Sequence, residues 1–139
     1  VIRTRPKDTA SENEIAELME TKWNCQVHRT GYLDAWDYTG TQNGRTVFIA
    51  ELKTRNNPST QYPTIYLSAH KWFRLLQAST GLDVPAIFIA RFTNTILYQP
   101  INKIDARKST MAGRTDRTGA PNDLELMILV PISDMSCLA

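Results

Sequence analysis

The stretch Thr46-Val47-Phe48-Ile49-Ala50-Glu51-Leu52-Lys53 decides how this chain folds. It is apolar almost throughout and ends in a Glu-x-Lys triplet, the pattern of a central strand whose polar end reaches a surface or cleft. Just before it, Gly40-Thr41-Gln42-Asn43-Gly44 carries the Asn-Gly hairpin signal, so residues 32–39 and 45–54 are expected to be antiparallel arms. Side chains two apart on a strand share a face. Glu51 and Lys53 are therefore expected beside Val47 and Ile49.

What stands opposite them depends on the register. Closure about Gln42 and Asn43 sets Tyr38 against Val47, Trp36 against Ile49 and Asp34 against Glu51, whereas a two-residue Asn43-Gly44 turn sets Asp34 against Lys53. An even shift keeps side-chain parity, so Asp34 joins Glu51 and Lys53 either way, and Asp37 joins them only through a β-bulge. Opposed carboxylates cost a sheet up to about 1 kcal/mol, and more when desolvated. That invites a positive charge, either Lys53 itself or a divalent cation held through oxygen. The plain alternative is a polar strand end, with Asp34 solvated in the hairpin.

Outward from the hairpin, Ile15, Leu18, Met19 and Trp23 recur at helical spacing, predicting an amphipathic helix over 10–23. It has two candidate capping boxes, Thr9 with Glu12 and Ser11 with Glu14. Residues 25–30 alternate as a strand. Ser68 is a plausible N-cap of a second helix through Gln77, stopped by Gly81, and residues 84–92, 95–101 and 124–132 read as strands. Residues 102–123 form a long polar segment with Lys103, Arg107, Lys108, Arg114 and Arg117, either a mobile surface loop or a contact for DNA or a partner. The order predicts an α/β chain bordering on α+β, with a central mixed sheet flanked by helices.

At 139 residues, 42% hydrophobic and 22% charged, the chain is expected to form one domain over 1–139. No apolar run approaches the roughly 18 residues that would span a bilayer, and the basic N-terminal stretch lacks the apolar core of a signal peptide. No membrane role and a cytoplasmic location are expected. A net charge of +2 gives no field for indiscriminate polyanion binding, so any nucleic acid must be met locally. Cys25 and Cys137 are too far apart for a CxxC site and read as reduced structural thiols. Neither His28 nor His70 lies in a metal or triad motif, and no organic-cofactor motif is present.

An Asp on one strand and a Glu-x-Lys ending the next, between an acidic helix and a Lys-bearing helix, resemble the PD-(D/E)XK nuclease superfamily. The matching residues are Tyr32-Leu33-Asp34-Ala35-Trp36 through Ile49-Ala50-Glu51-Leu52-Lys53-Thr54-Arg55, then Ser68-Ala69-His70-Lys71-Trp72. The resemblance covers about residues 10–101 and is to small nucleases of the kind met in phage genomes, with Leu33 where the superfamily pattern has proline. It implies a restriction endonuclease-like αβββαβ core, a fold shared with Holliday junction resolvases. By resemblance, Asp34, Glu51 and the Leu52 carbonyl would ligate Mg2+, with Mn2+ able to substitute. Lys53 would position the attacking water and stabilise the transition state of DNA phosphodiester hydrolysis. A helix carboxylate would join them, Glu12 or its rival Glu14. Lys71, Arg55 and Arg74 would contact nucleic acid, or else form a solvated basic face. The implied activity is that of an Mg2+-dependent deoxyribonuclease, an endonuclease by preference, acting alone or as a homodimer, in the host cytoplasm if phage-encoded. The alternative is a nuclease-like module that binds nucleic acid without cutting it. A two-carboxylate glycosidase is disfavoured by Lys53 and the lack of a sugar-stacking pattern.

Overall fold

The computed structural model describes residues 6–30, 36–113 and 124–139. The first helix, α1, spans Pro6–Trp23, four residues earlier than the periodicity predicts. Proline suits a first helical turn, where its missing N–H has no partner to lose. Thr9 and Ser11 consequently lie inside the helix rather than at its start. Strand β1, Gln26–Arg29, pairs antiparallel with β2, Tyr38–Gln42, and β2 with β3, Arg45–Thr54. The intervening turn is Asn43-Gly44 alone, with φ of 51° and 75°, as a twisted two-residue hairpin turn requires.

The hairpin register starts as the two-residue Asn43-Gly44 turn predicts and then departs from both expected ones. Near the turn, Gln42 faces Arg45 and Thr41 faces Thr46, but beyond it Gly40 faces Phe48, Thr39 faces Ile49 and Tyr38 faces Ala50. One residue, Val47, has been bulged into β3, and every later partner slips by one. Gly40 is where the bulge is accommodated, because a Cβ there would overlap the Phe48 ring. Val47 accordingly packs beside Phe48 on the α1 side, while Ile49 faces the opposite core, so Val47 does not share a face with Glu51 and Lys53 as expected.

After β3 the chain forms β4, Thr64–Ser68, and then α2, Ala69–Leu82, which ends on Asp83 in the left-handed conformation rather than at Gly81. Strands β5, Ala86–Arg91, and β6, Ile96–Pro100, follow, with a 3₁₀ turn at Ile101–Lys103. Then come β7, Ser109–Ala112, β8, Glu125–Pro131, and β9, Ser136–Cys137. The first sheet has the order β1-β2-β3-β5-β6-β9, with only β3 and β5 parallel. A second sheet, β4-β8-β7, is antiparallel. The expected mixed sheet with helices is thus present, but β4, β7 and β9 are additional, and β8 leaves the main sheet for the second one.

Two cores sandwich the main sheet. Ile15 and Met19 of α1 pack with Tyr38, Phe48, Ala50, Ile87 and Ile89 on one side. On the other, Leu75 of α2 and Ile65, Leu67, Ile128 and Val130 of the small sheet pack on Ile49, Phe88 and Ala90. Fully burying one such side chain is worth roughly 1.5–3 kcal/mol, so β3, feeding both cores, is held firmly up to its charged end. Cys25 and Cys137 are both free thiols. Among the described residues no helix is long and apolar enough to cross a membrane.

Candidate active site

The end of β3 carries Glu51, Lys53 and Arg55 on alternate positions, beyond the point where β2 stops. Odd-numbered residues of β3 bond toward β5, as Ile49 N–H to the Pro85 carbonyl (3.0 Å) and Arg55 N–H to the Arg91 carbonyl (2.8 Å) show. Leu52 therefore turns its backbone polar groups to the vacated β2 edge. There its N–H donates to Asp37 Oδ2 at 2.8 Å, and Asp37 N–H donates to the Ala50 carbonyl at 2.9 Å. The bulge has brought Asp37 to Glu51, the arrangement that parity alone disallows. Asp34 lies outside the described residues.

Glu51 is only 6% exposed. Burial, then the adjacent negative charge of Asp37, push its carboxyl from the ordinary 4.5 up to about 7. The Lys71 ammonium, 2.9 Å from Glu51 Oε1, pulls the other way. Lys71 thus stands inside the site, reaching in from the first turn of α2. Its neighbour Arg74 lies exposed on the same helix.

The Lys53 ammonium is half-buried, and its pKa is lowered first by that burial and then by Arg55 and Lys71, with Glu125 and Glu51 opposing. Arg55 is lowered likewise by burial. Glu125, at the start of β8, accepts from Ser68 Oγ at 3.5 Å. Ser68 thus spends its hydroxyl on Glu125, and no side-chain hydrogen bond caps α2. The sequence reading missed Glu125 because the small sheet that delivers it was not foreseen. The alternation Thr64-Ile65-Tyr66-Leu67-Ser68 is the signal that would have revealed β4, its partner strand.

The helix carboxylates are held apart from this group. Glu12 pairs with Arg29, and Glu14 Oε2 lies 2.8 Å from Arg91 Nη2. Tyr38 Oη donates to the Glu12 carbonyl at 3.0 Å, fixing that turn of α1 over β2. Among the described residues no cluster of three or more His, Cys, Asp or Glu is placed to hold a metal. Among the described residues the oxygen donors at this end of β3 are the Asp37 and Glu51 carboxylates and the backbone edge at Leu52. That suits a hard, octahedral ion that keeps several of its waters, and does not suit a tetrahedral zinc site.

A mixed sheet between helices, with paired carboxylates and a lysine at the end of a central strand, defines the restriction endonuclease-like class. The sequence matches, over residues 4–138, the family described as "phage putative PDDEXK endonuclease", and the chain belongs to that family. No curated protein matches it. Its fold resembles the structure of Hjc, a Holliday junction resolvase from the archaeal hyperthermophile Archaeoglobus fulgidus, with a TM-score of 0.50. The likeness is at 14% sequence identity and covers 85% of this chain and 93% of that one.

Proposed function

We propose that this PDDEXK-type nuclease is a divalent-metal-dependent DNA endonuclease, with Asp37 and Glu51 as the carboxylate ligands. The supporting observation is the pairing of Asp37 with the buried Glu51 beside Lys53. Among the described residues the cations beside the two carboxylates are Lys71, whose side chain is 56% exposed, and the half-buried Lys53, and a divalent ion would satisfy both carboxylates through oxygen. The Leu52 carbonyl, on the same edge as its N–H, is the third donor. Asp34 remains the rival to Asp37. Mg2+ fits, with Mn2+ as substitute; such an ion supplies Lewis-acid polarisation of the phosphate and a nucleophile at neutral pH.

The chain's own side chains do the rest. Lys53 orients the attacking water and offsets charge that builds on the phosphate oxygens. Lys71 leaves Glu51 for the phosphate when a cation takes its place. Arg55 and Arg74 hold the flanking backbone, and Glu12, balanced by Arg29, stands as an outer carboxylate. Two copies acting on two strands is the assembly we expect.

The test is calorimetric titration of Mn2+ and Mg2+ into wild type, Asp37→Asn and Asp34→Asn, with cleavage of linear, nicked, single-stranded and branched DNA in the same buffer. The expected result is that Asp37→Asn loses metal binding and cutting. Intact DNA in every wild-type reaction would refute nuclease action, and full activity in Asp37→Asn with loss in Asp34→Asn would return the ligand to Asp34.

A further inference from the structure

Past the end of β3, beyond Lys53, lies a pocket of about 350 Å3 that the cleavage chemistry does not use, lined among others by Arg55, Tyr62, Thr64, Ile65, Tyr66 and Phe92. We propose that it is a stacking site for one unpaired nucleobase a few nucleotides from the scissile phosphate. The substrate would then be DNA that is single-stranded, branched or otherwise locally unstacked. The inference rests on the nuclease reading for its placement relative to the cut, and on the pocket itself for its chemistry.

Two strands fix that placement independently. On β3, Lys53 is in the site and Arg55, two residues on, lines the pocket; on β4, Ser68 touches Glu125 and Tyr66, two residues back, lines the pocket. Two residues of strand span about 7 Å. Glu51 lies two residues further back than Lys53, and a stacked DNA strand rises about 3.4 Å per base, so the pocket lies within about four nucleotides of the reacting phosphate.

The lining suits a base. Tyr62 and Tyr66 are 58% and 38% exposed, unusual for large aromatics, over a floor of buried Phe92. Every base has a π-face that stacks on such rings, and Arg55 adds a guanidinium plane and a phosphate partner. The volume is at the small end of the roughly 300–1,000 Å3 of small-ligand sites, which suits a single heterocycle. A base inside a continuous duplex cannot present its face, so it must leave the stack to enter.

The walls are built in advance. Ser59 N–H donates to Asn94 Oδ1 (2.8 Å) and Asn94 Nδ2 to Ser59 Oγ (3.1 Å). Thr93 N–H donates to the Asn57 carbonyl (3.2 Å), and Ile132 N–H to the Pro63 carbonyl (2.9 Å). The segment carrying Tyr62 is thus tied at both ends. Gln61 Nε2 donates to the Tyr62 hydroxyl at 3.1 Å, steadying that ring.

The experiment uses single-stranded oligonucleotides carrying 2-aminopurine, moved one position at a time, with the full chain in EDTA so that binding is read without cutting. Quenching is expected at one or two adjacent positions. Tyr62→Ala and Tyr66→Ala should each abolish it and weaken affinity roughly tenfold, while Tyr62→Phe and Tyr66→Phe keep both. An abasic nucleotide at the quenched position should weaken wild type equally and add nothing further to Tyr66→Ala. Fluorescence that changes equally at all positions, or abasic and Tyr66→Ala losses that add, would overturn the proposal. Wild type that quenches but cuts no DNA with Mg2+ or Mn2+ would keep the base pocket and sink the nuclease reading. Cutting without position-specific quenching would do the reverse.

Discussion

Replacing Glu51 by glutamine separates the cost of the site from its use. The carboxyl is 6% exposed, and its pKa is raised from 4.5 to about 7 by burial and by Asp37. At about 1.4 kcal/mol per pH unit, that gap corresponds to roughly 3 kcal/mol against the ionised form. Below pH 4.5 the group is protonated whether folded or unfolded, and it contributes nothing. As pH rises, the unfolded chain releases the proton first, so the folded state binds more protons and stability falls until about pH 7. Metal-free wild type should therefore lose roughly 3 kcal/mol relative to Glu51→Gln between pH 4.5 and 7.5. Titrations of groups remote from Glu51 are common to both proteins and cancel in the difference, whereas Asp37 and Lys71 interact with Glu51 and titrate together with it, so the measured change belongs to that group as a whole. Urea unfolding in EDTA measures it as a midpoint difference that widens by about 1 M or more. Millimolar Mg2+ should close the gap at pH 7.5 by stabilising wild type alone. A difference that stays flat with pH would refute the claim that Glu51 ionises at the folded protein's expense.

Lys53→Met should lower the cleavage rate about 100- to 1,000-fold, as loss of one positioned transition-state donor does, while calorimetry shows divalent-metal binding intact. Glu125 raises the Lys53 pKa against burial, so Glu125→Gln should move the alkaline limb of the pH–rate profile to lower pH; an unmoved limb would remove Glu125 from the site. Arg74→Ala should reduce the slope of log affinity against log salt by about one without changing the cleavage rate of bound DNA. Gly40→Ala forces a methyl into the Phe48 ring and should cost roughly 1–3 kcal/mol in chemical denaturation.

Much of the fold was legible because its signals are local. The Asn43-Gly44 turn, the stripe Ile15, Met19 and Trp23, and the apolar run ending in Glu51 each depend on neighbours within a few residues, and each forms as read. The small sheet was not legible for the opposite reason. Its strands β4 and β8 pair Leu67 with Ile128 and Ile65 with Val130 across some 60 residues of chain, and nothing in β8's apolar run says which of two sheets it joins. With β4 unseen, Glu125 and the Tyr66 pocket could not be placed either.

The approach of Asp37 to Glu51 turned on one inserted residue. Parity carries information only while strands pair one to one, and a bulge reverses it for every position beyond. Here the reversal has a visible cause at Gly40, the one β2 position without a side chain, which lets the Phe48 ring lie on the backbone. A glycine inside a strand is itself a sequence signal for such a bulge. Applied to this chain, it adds Asp37 to the face of Glu51, with Asp34 still the rival ligand. It also explains why Asp37, exposed in a bend before β2, can meet a glutamate buried in the centre of the sheet. The charged end of β3 is thus tuned from the hairpin's far end: a substitution at Gly40 that restored one-to-one pairing would turn Asp37 away from Glu51, and because it would also turn Phe48 and Ile49 toward the wrong cores, loss of metal binding should come together with loss of stability.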